Sequence, residues 1–185
     1  MARRMSRART VLLAFALLFN GAVAAPVPGE YQVKAVFLFN FTHFVEWPAD
    51  AFADPQAPFV IGVLGQDPFG AALDEAVRGE SVNGRPLVVQ RYSGVSDLKP
   101  CQILFIDRSI DGAVEKALAT LARQRTLTVS DLDSGTPRAV IIRFLNENQK
   151  IRLQINVDSA RTAGLTISSK LLRPAQVIGT GGAGL

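Results

Sequence analysis

One cysteine, Cys101, and one histidine, His43, are all that the 185 residues offer of the two side chains most used for metals and nucleophiles. A lone Cys allows no intramolecular disulfide, so the core must be stable without a covalent staple. A lone His with no neighbouring Cys leaves a tetrahedral zinc site without ligands. A Ser-His-Asp constellation would have to pass through His43, and no G-x-S-x-G elbow carries the serine. These shortages point away from an enzyme, a metal site and a cofactor. Linkers, charge blocks and internal repeats are also missing, which leaves a single domain. An excess of basic charge is missing too, once the N-terminus is set apart. Arg3, Arg4, Arg7 and Arg9 precede an apolar run from Val11 to Phe19 and the small-x-small site Ala22-Val23-Ala24. That is the layout of a secretory signal peptide over residues 1–24. The run is short for a bilayer, and Pro26 and Pro28 follow it, so cleavage after Ala24 and export are expected rather than anchoring. The formal charge of +4 belongs to this segment, because without its four arginines 16 basic residues face 16 acidic ones. Nucleic acid loses its electrostatic footing as a partner.

What the chain does have is an aromatic opening, EYQVKAVFLFNFTHFVEWP from Glu30 to Pro48. Val33, Val36, Phe37, Phe41 and Phe44 follow helical spacing, and Leu38, Phe39 and Val45 add a second strip, so the helix is expected to be covered on more than one side. Leu38 and Phe39 are candidates for sealing a dimer. Trp47-Pro48 ends the helix. Beyond it, apolar runs of strand length at Phe59 to Gly65, Leu87 to Val89, Ile103 to Ile106 and Leu127 to Ser130 alternate with helical stretches. One helix is expected from Phe69 to about Val77, with Asp67 as N-cap and Pro68 as first residue. Another runs from about Gly112 to Ala122. Such alternation predicts an α/β domain, a single lobe with a mostly parallel sheet and helices on both faces. Ala139 to Leu145 and Ile151 to Val157 flank the polar Asn146-Glu147-Asn148-Gln149 and read as an added β-hairpin near the C-terminus. A helix capped by Asp158 and a second one from Leu165 to Gln176 are expected after it. The domain is placed at residues 25–178, and residues 179–185 form a glycine-rich tail.

Two motif matches fail on context. Gly179, Gly181 and Gly184 satisfy G-x-G-x-x-G, but the chain runs out where a dinucleotide-binding helix should follow. Asp131-x-Asp133-x-Gly135 has Ile142 where a calcium loop needs its Glu. The turn after the first parallel strand, with Gly65, Asp67 and Phe69, is the place the architecture recommends for a ligand, since open α/β sheets bind at the carboxyl ends of their strands. Cys101 precedes an apolar strand, a setting that suits a buried thiol, with an intermolecular bond as the other reading.

Tyr31-x-Val33-Lys34-Ala35-x-Phe37-Leu38-Phe39-Asn40-Phe41 with Phe44-Val45-Glu46-Trp47-Pro48 resembles the opening signature of the YfiR family of periplasmic proteins. Four later segments agree in order: Ile61 to Gly70, Gly84 to Val89, Cys101 to Ile106, and Ile155 to Arg173. The resemblance implies a repressor that binds the periplasmic sensor region of an inner-membrane diguanylate cyclase. Such binding lowers cyclic di-GMP and restrains biofilm formation. It also implies an OmpA-like outer-membrane lipoprotein as a possible sequestering partner, and a homodimer. Family members with a disulfide carry one cysteine in the first-strand region and one at the position of Cys101. This chain has Gly62 and its neighbours in that region, so internal redox control does not carry over. The block from Ile155 to Ile178 is also similar to the closing segment of a class of periplasmic substrate-binding proteins. A single-lobe small-ligand receptor feeding a sensor or transporter is therefore the alternative. A repressor needs an exposed apolar patch, and Ile167, Leu171, Leu172, Val177 and Ile178 are the candidates for partner binding.

Overall fold

The computed structural model describes residues 29–110, 112–121, 124–132 and 139–179. The expected signal segment, the calcium-loop-like positions beyond Leu132 and the glycine-rich residues after Gly179 lie outside these residues. The chain opens with α1 (Glu30–Phe44), followed by β1 (Val45–Glu46), β2 (Phe59–Leu64), α2 (Ala71–Val77), β3 (Ser81–Val82) and β4 (Arg85–Tyr92). Next come β5 (Ile103–Ile106), α3 (Val114–Leu121), β6 (Leu127–Ser130), β7 (Ile142–Glu147) and β8 (Lys150–Asn156). The chain closes with α4 (Val157–Thr162), β9 (Thr166–Ile167), α5 (Ser169–Leu172) and β10 (Gln176–Ile178).

Eight strands form one sheet in the order β10-β8-β7-β6-β5-β2-β4-β3, while β1 and β9 pair separately and antiparallel. Within the large sheet only β7–β8 and β3–β4 are antiparallel. Every residue of β2, β5 and β6 is buried, which is how strands covered on both faces read in sequence. Alternation then divides their side chains. Phe59, Ile61, Val63, Ile103 and Phe105 join the cluster under α1 and α2, and Val60, Leu64, Leu104 and Ile106 join the one under α3. Burial of such side chains contributes roughly 1.5–3 kcal/mol each. Gly62 faces the α3 side, where a Cβ on it would lie 2.8 Å from Leu104 Cδ1, 3.0 Å from Tyr92 Cε2 and 3.3 Å from Cys101 Sγ.

Turn chemistry fixes the two hairpins. Asn83 and Gly84 have φ of 51° and 77°, and Asn148 and Gln149 have 52° and 61°, the paired left-handed residues of a tight β-hairpin turn.

Three local expectations are corrected. Asp67 does not cap a helix. The chain makes a turn in which Phe69 N–H donates to Asp67 Oδ1 at 2.8 Å, and α2 starts only after Gly70 at φ 52°. Nor is Asp158 the cap of α4, because Asn156 Oδ1 accepts from both Asp158 N–H and Ser159 N–H, at 3.1 and 3.0 Å. The single helix from Leu165 to Gln176 is instead β9, the four-residue α5 and β10. Thr166 and Ile167 find hydrogen-bonding partners in Glu46 and Val45, and Gln176 to Ile178 add to β8 in parallel. Tertiary pairing here overrides a local helical pattern.

Candidate functional site

α1 does not present the face that its aromatic spacing predicts. Val36 points to solvent, 52% exposed, while Leu38 and Phe41 are fully buried. Lys34 sits beside them on the inner face, and its side chain is 2% exposed. Its ammonium lies 2.6 Å from Asp131 Oδ2 and 2.5 Å from Glu30 Oε1. Asp131 follows β6, and its side chain is also 2% exposed. Tyr31 O–H donates to the same Oδ2 at 2.9 Å, and an Arg108 nitrogen lies 3.6 Å from it. Burial, followed by the hydrogen bond to Asp131, pushes the Tyr31 phenol up to about 12.

This polar knot backs a concavity at the carboxyl ends of the parallel strands. Gln66 and Pro68 come from the loop after β2, Asp107, Arg108 and Ser109 from the loop after β5, and Glu30 and Tyr31 from α1. They enclose about 650 Å3. The two loops meet closely: Gly65 has φ 100°, and a Cβ there would stand 2.5 Å from Ser109 Oγ. Of the three residues expected in a ligand loop, Gly65 thus frames the crevice without lining it. Asp67 is held by Arg91, whose Nε donates to it at 2.6 Å while its other nitrogens reach Asp74. The Asp74 carboxyl is held below its usual range by that guanidinium. Phe69 is core, edge-on to Phe105 with ring centroids 4.7 Å apart.

The C-terminal candidates do not share one face. Leu171 is 6% exposed and belongs to the core, which removes it from any contact surface. Ile167 and Leu172 are half-buried against the α1 side. Val177 and Ile178 are half-buried on β10, an edge strand, where consecutive side chains point to opposite faces of the sheet. Leu38 is withdrawn as a dimer residue for the same reason as Leu171, whereas Phe39 keeps surface and lies against the His43 ring at 5.1 Å. His43 itself is exposed, with Nδ1 2.8 Å from Thr42 Oγ1. Cys101 is 3% exposed, and burial pushes its thiol up to about 12. A bond to a second chain needs an accessible thiolate, so that reading is withdrawn.

Lys34 and Asp131 escaped the sequence reading. In sequence Asp131 stands out only as the first residue of a calcium-loop match that fails, and nothing in the spacing of Tyr31 and Lys34 tells that the helix turns its lysine inward. Among the described residues no group of three His, Cys, Asp or Glu is placed to hold a metal, and no helix is long and apolar enough to cross a membrane.

An open, doubly wound α/β lobe whose parallel strands are flanked in the sheet by a hairpin on either side is the class that these elements define. The profile of the YfiR/HmsC-like family matches residues 31–176, and the chain belongs to that family, in agreement with the resemblance of its opening segment. YfiR-like proteins are periplasmic and regulatory. A search of curated proteins returned no match.

Proposed function

We propose that the mature protein is a periplasmic repressor that binds the sensor region of an inner-membrane diguanylate cyclase, holds it inactive and so lowers cyclic di-GMP and biofilm formation. The observation that carries this reading is the family match across residues 31–176. The contact is assigned to the edge strand β10 and its surroundings, with Val177, Ile178, Ile167 and Leu172 as the apolar contributors. An edge strand with unpaired backbone groups is a ready template for a partner strand, and three residues are short enough to keep that edge from pairing indiscriminately. An OmpA-like lipoprotein would compete for the same surface. A homodimer, with Phe39 at its seam, would leave β10 free.

The reading is tested in the native host. Removing the gene should raise cyclic di-GMP, and the wild-type gene should restore it. Val177→Glu should fail to restore it while melting within a few degrees of wild type. Leu171→Asp should also fail, but by unfolding, as a charge in a core does. Full repression by a folded Val177→Glu, Ile178→Asp double variant would move the contact elsewhere. No change in cyclic di-GMP on gene removal would sink the cyclase itself as partner.

A further inference from the structure

Besides the cleft at the carboxyl ends of the strands, the amino ends of β2 and β4 border a groove of about 590 Å3, a size within the range of small-molecule sites. Trp47 and Phe52 give it an aromatic wall, and His43, Glu46, Asn83 and Arg85 give it polar groups.

Two of these side chains are fixed before any ligand arrives, so binding orders little that is not ordered already. Trp47 Nε1 donates to the Gln102 carbonyl at 3.1 Å, and its ring stands edge-on to Phe59 with centroids 4.8 Å apart. The one polar atom of the indole is thus spent, and the ring is left to the groove as an apolar surface. The Arg85 guanidinium lies 3.9 Å over the Phe52 ring, and its Nη1 donates to the carbonyls of Asp54 and Ala57 at 2.9 and 2.6 Å. Its Nε and Nη2 have no acceptor among the described residues.

The remaining polar groups are also unspent. Thr42 Oγ1 donates its only proton to the Phe39 carbonyl at 2.6 Å, so it accepts from His43 Nδ1 at 2.8 Å. The neutral imidazole then keeps a lone pair on Nε2, an acceptor. Glu46 and the Asn83 amide have no side-chain hydrogen bond or ion pair among the described residues. Donors and acceptors therefore stand side by side, and the charges of Arg85 and Glu46 cancel. An anion would meet Glu46, a cation would meet Arg85, and an apolar molecule would strip water from all four polar groups without replacing it. A hydroxyl gives and accepts at once. A molecule with several hydroxyls around an apolar C–H face matches both the polar groups and the wall.

We propose that this groove binds a neutral saccharide, with one face of a pyranose ring against Trp47 and its hydroxyls shared among Glu46, His43 Nε2, Asn83 and Arg85. The site does not depend on the cyclase reading, since it is tested on the purified protein by direct binding.

Trp47 is the only tryptophan of the chain, so its fluorescence reports on this groove. Titration with maltose, cellobiose and N,N′-diacetylchitobiose, followed by fluorescence and by calorimetry, should saturate with at least one of them. Citrate, putrescine and adenosine should give no saturation. Glu46→Ala, at an exposed position, should weaken the saccharide by about tenfold, equivalent to ~1.4 kcal/mol. Asn83→Gly, which suits the turn at φ 51° and removes only the amide, should weaken it several-fold. Both variants should melt within a few degrees of wild type. Saturation by none of the three saccharides, saturation by citrate, putrescine or adenosine in their place, or an affinity that both variants leave unchanged would each overturn the proposal.

Discussion

Lys34 fastens the first turn of α1 to the end of β6 through a contact spanning 97 residues of sequence. A lysine this deeply buried is stable only while its partners are in place, because the unpaired charge that remains after one is removed meets almost no water. Lys34→Ala should therefore lower stability in urea unfolding by about 3–5 kcal/mol, whereas Lys34→Met with Asp131→Leu should lose far less, since an apolar pair of similar volume replaces the ions. Equal losses in both would show that packing of the lysine stem, and not its charge, is what matters. The two tyrosines offer a pH test at the same scale. Burial raises both Tyr31 and Tyr92 from 10.0 to about 12, helped in Tyr31 by Asp131 and in Tyr92 by the nearby Cys101 thiolate charge. Folding thus favours the neutral phenols. Their contribution to stability is whole below about pH 10 and disappears as pH rises through about 12. Ultraviolet titration should find almost no phenolate in the native protein near pH 10, and each tyrosine about half ionised there once urea has unfolded it. A native titration near pH 10 would contradict the placement of both rings. None of this was readable in the sequence, where Lys34 is one polar residue of an aromatic helix and Asp131 belongs to a calcium-loop match that fails.

Elements were legible to the extent that burial and periodicity agree. The three inner strands stood out because two-sided burial writes itself as continuous runs such as Phe59 to Leu64 and Ile103 to Ile106. The hairpin of β7 and β8 stood out by its polar turn. The stretch after Leu165 did not, because Leu171 and Leu172 with Ser168 as a cap do suit a helix, and its two flanking strands exist only through partners at Val45 and Gln154 to Asn156. The caps were misjudged by two and three positions, since Asp67 and Asp158 are as fit for capping as Asn156, and only geometry chooses between them. Asn156→Ala should destabilise the protein by about 1 kcal/mol in thermal or chemical unfolding, the usual cost of losing an N-cap. Asp158→Ala should cost less, as its contact with Arg161 is solvent-exposed. The reverse order would return the cap to Asp158. Of the cleft, the sequence disclosed the address at the ends of β2 and β5 but not the walls, because Glu30 and Tyr31 reach it from a helix far away in sequence.

For the molecule as a whole, the class of fold followed from the alternation of strands and helices, and the placement of surfaces did not. The edge strand and the cleft lie on different parts of the lobe: β10 is the edge of the large sheet, and the cleft is at the ends of its central strands. Substitutions at the two should therefore add in unfolding stability to within about 0.5 kcal/mol, as expected of distant sites. The packing over Gly62 reaches further than steric fit. A Cβ at that position would come within 3.3 Å of the sulfur of Cys101, two central strands would be within reach of a single covalent bond, and the enclosed loop of about 40 residues would lose entropy worth about 4 kcal/mol in the unfolded chain. Gly62→Cys made in an oxidising compartment should contain no free thiol, melt higher than its reduced form, and sense redox potential where the present chain is blind to it. Two titratable thiols in the native variant would deny that geometry. One methylene-bearing sulfur is thus all that separates this domain from an oxidation-dependent one.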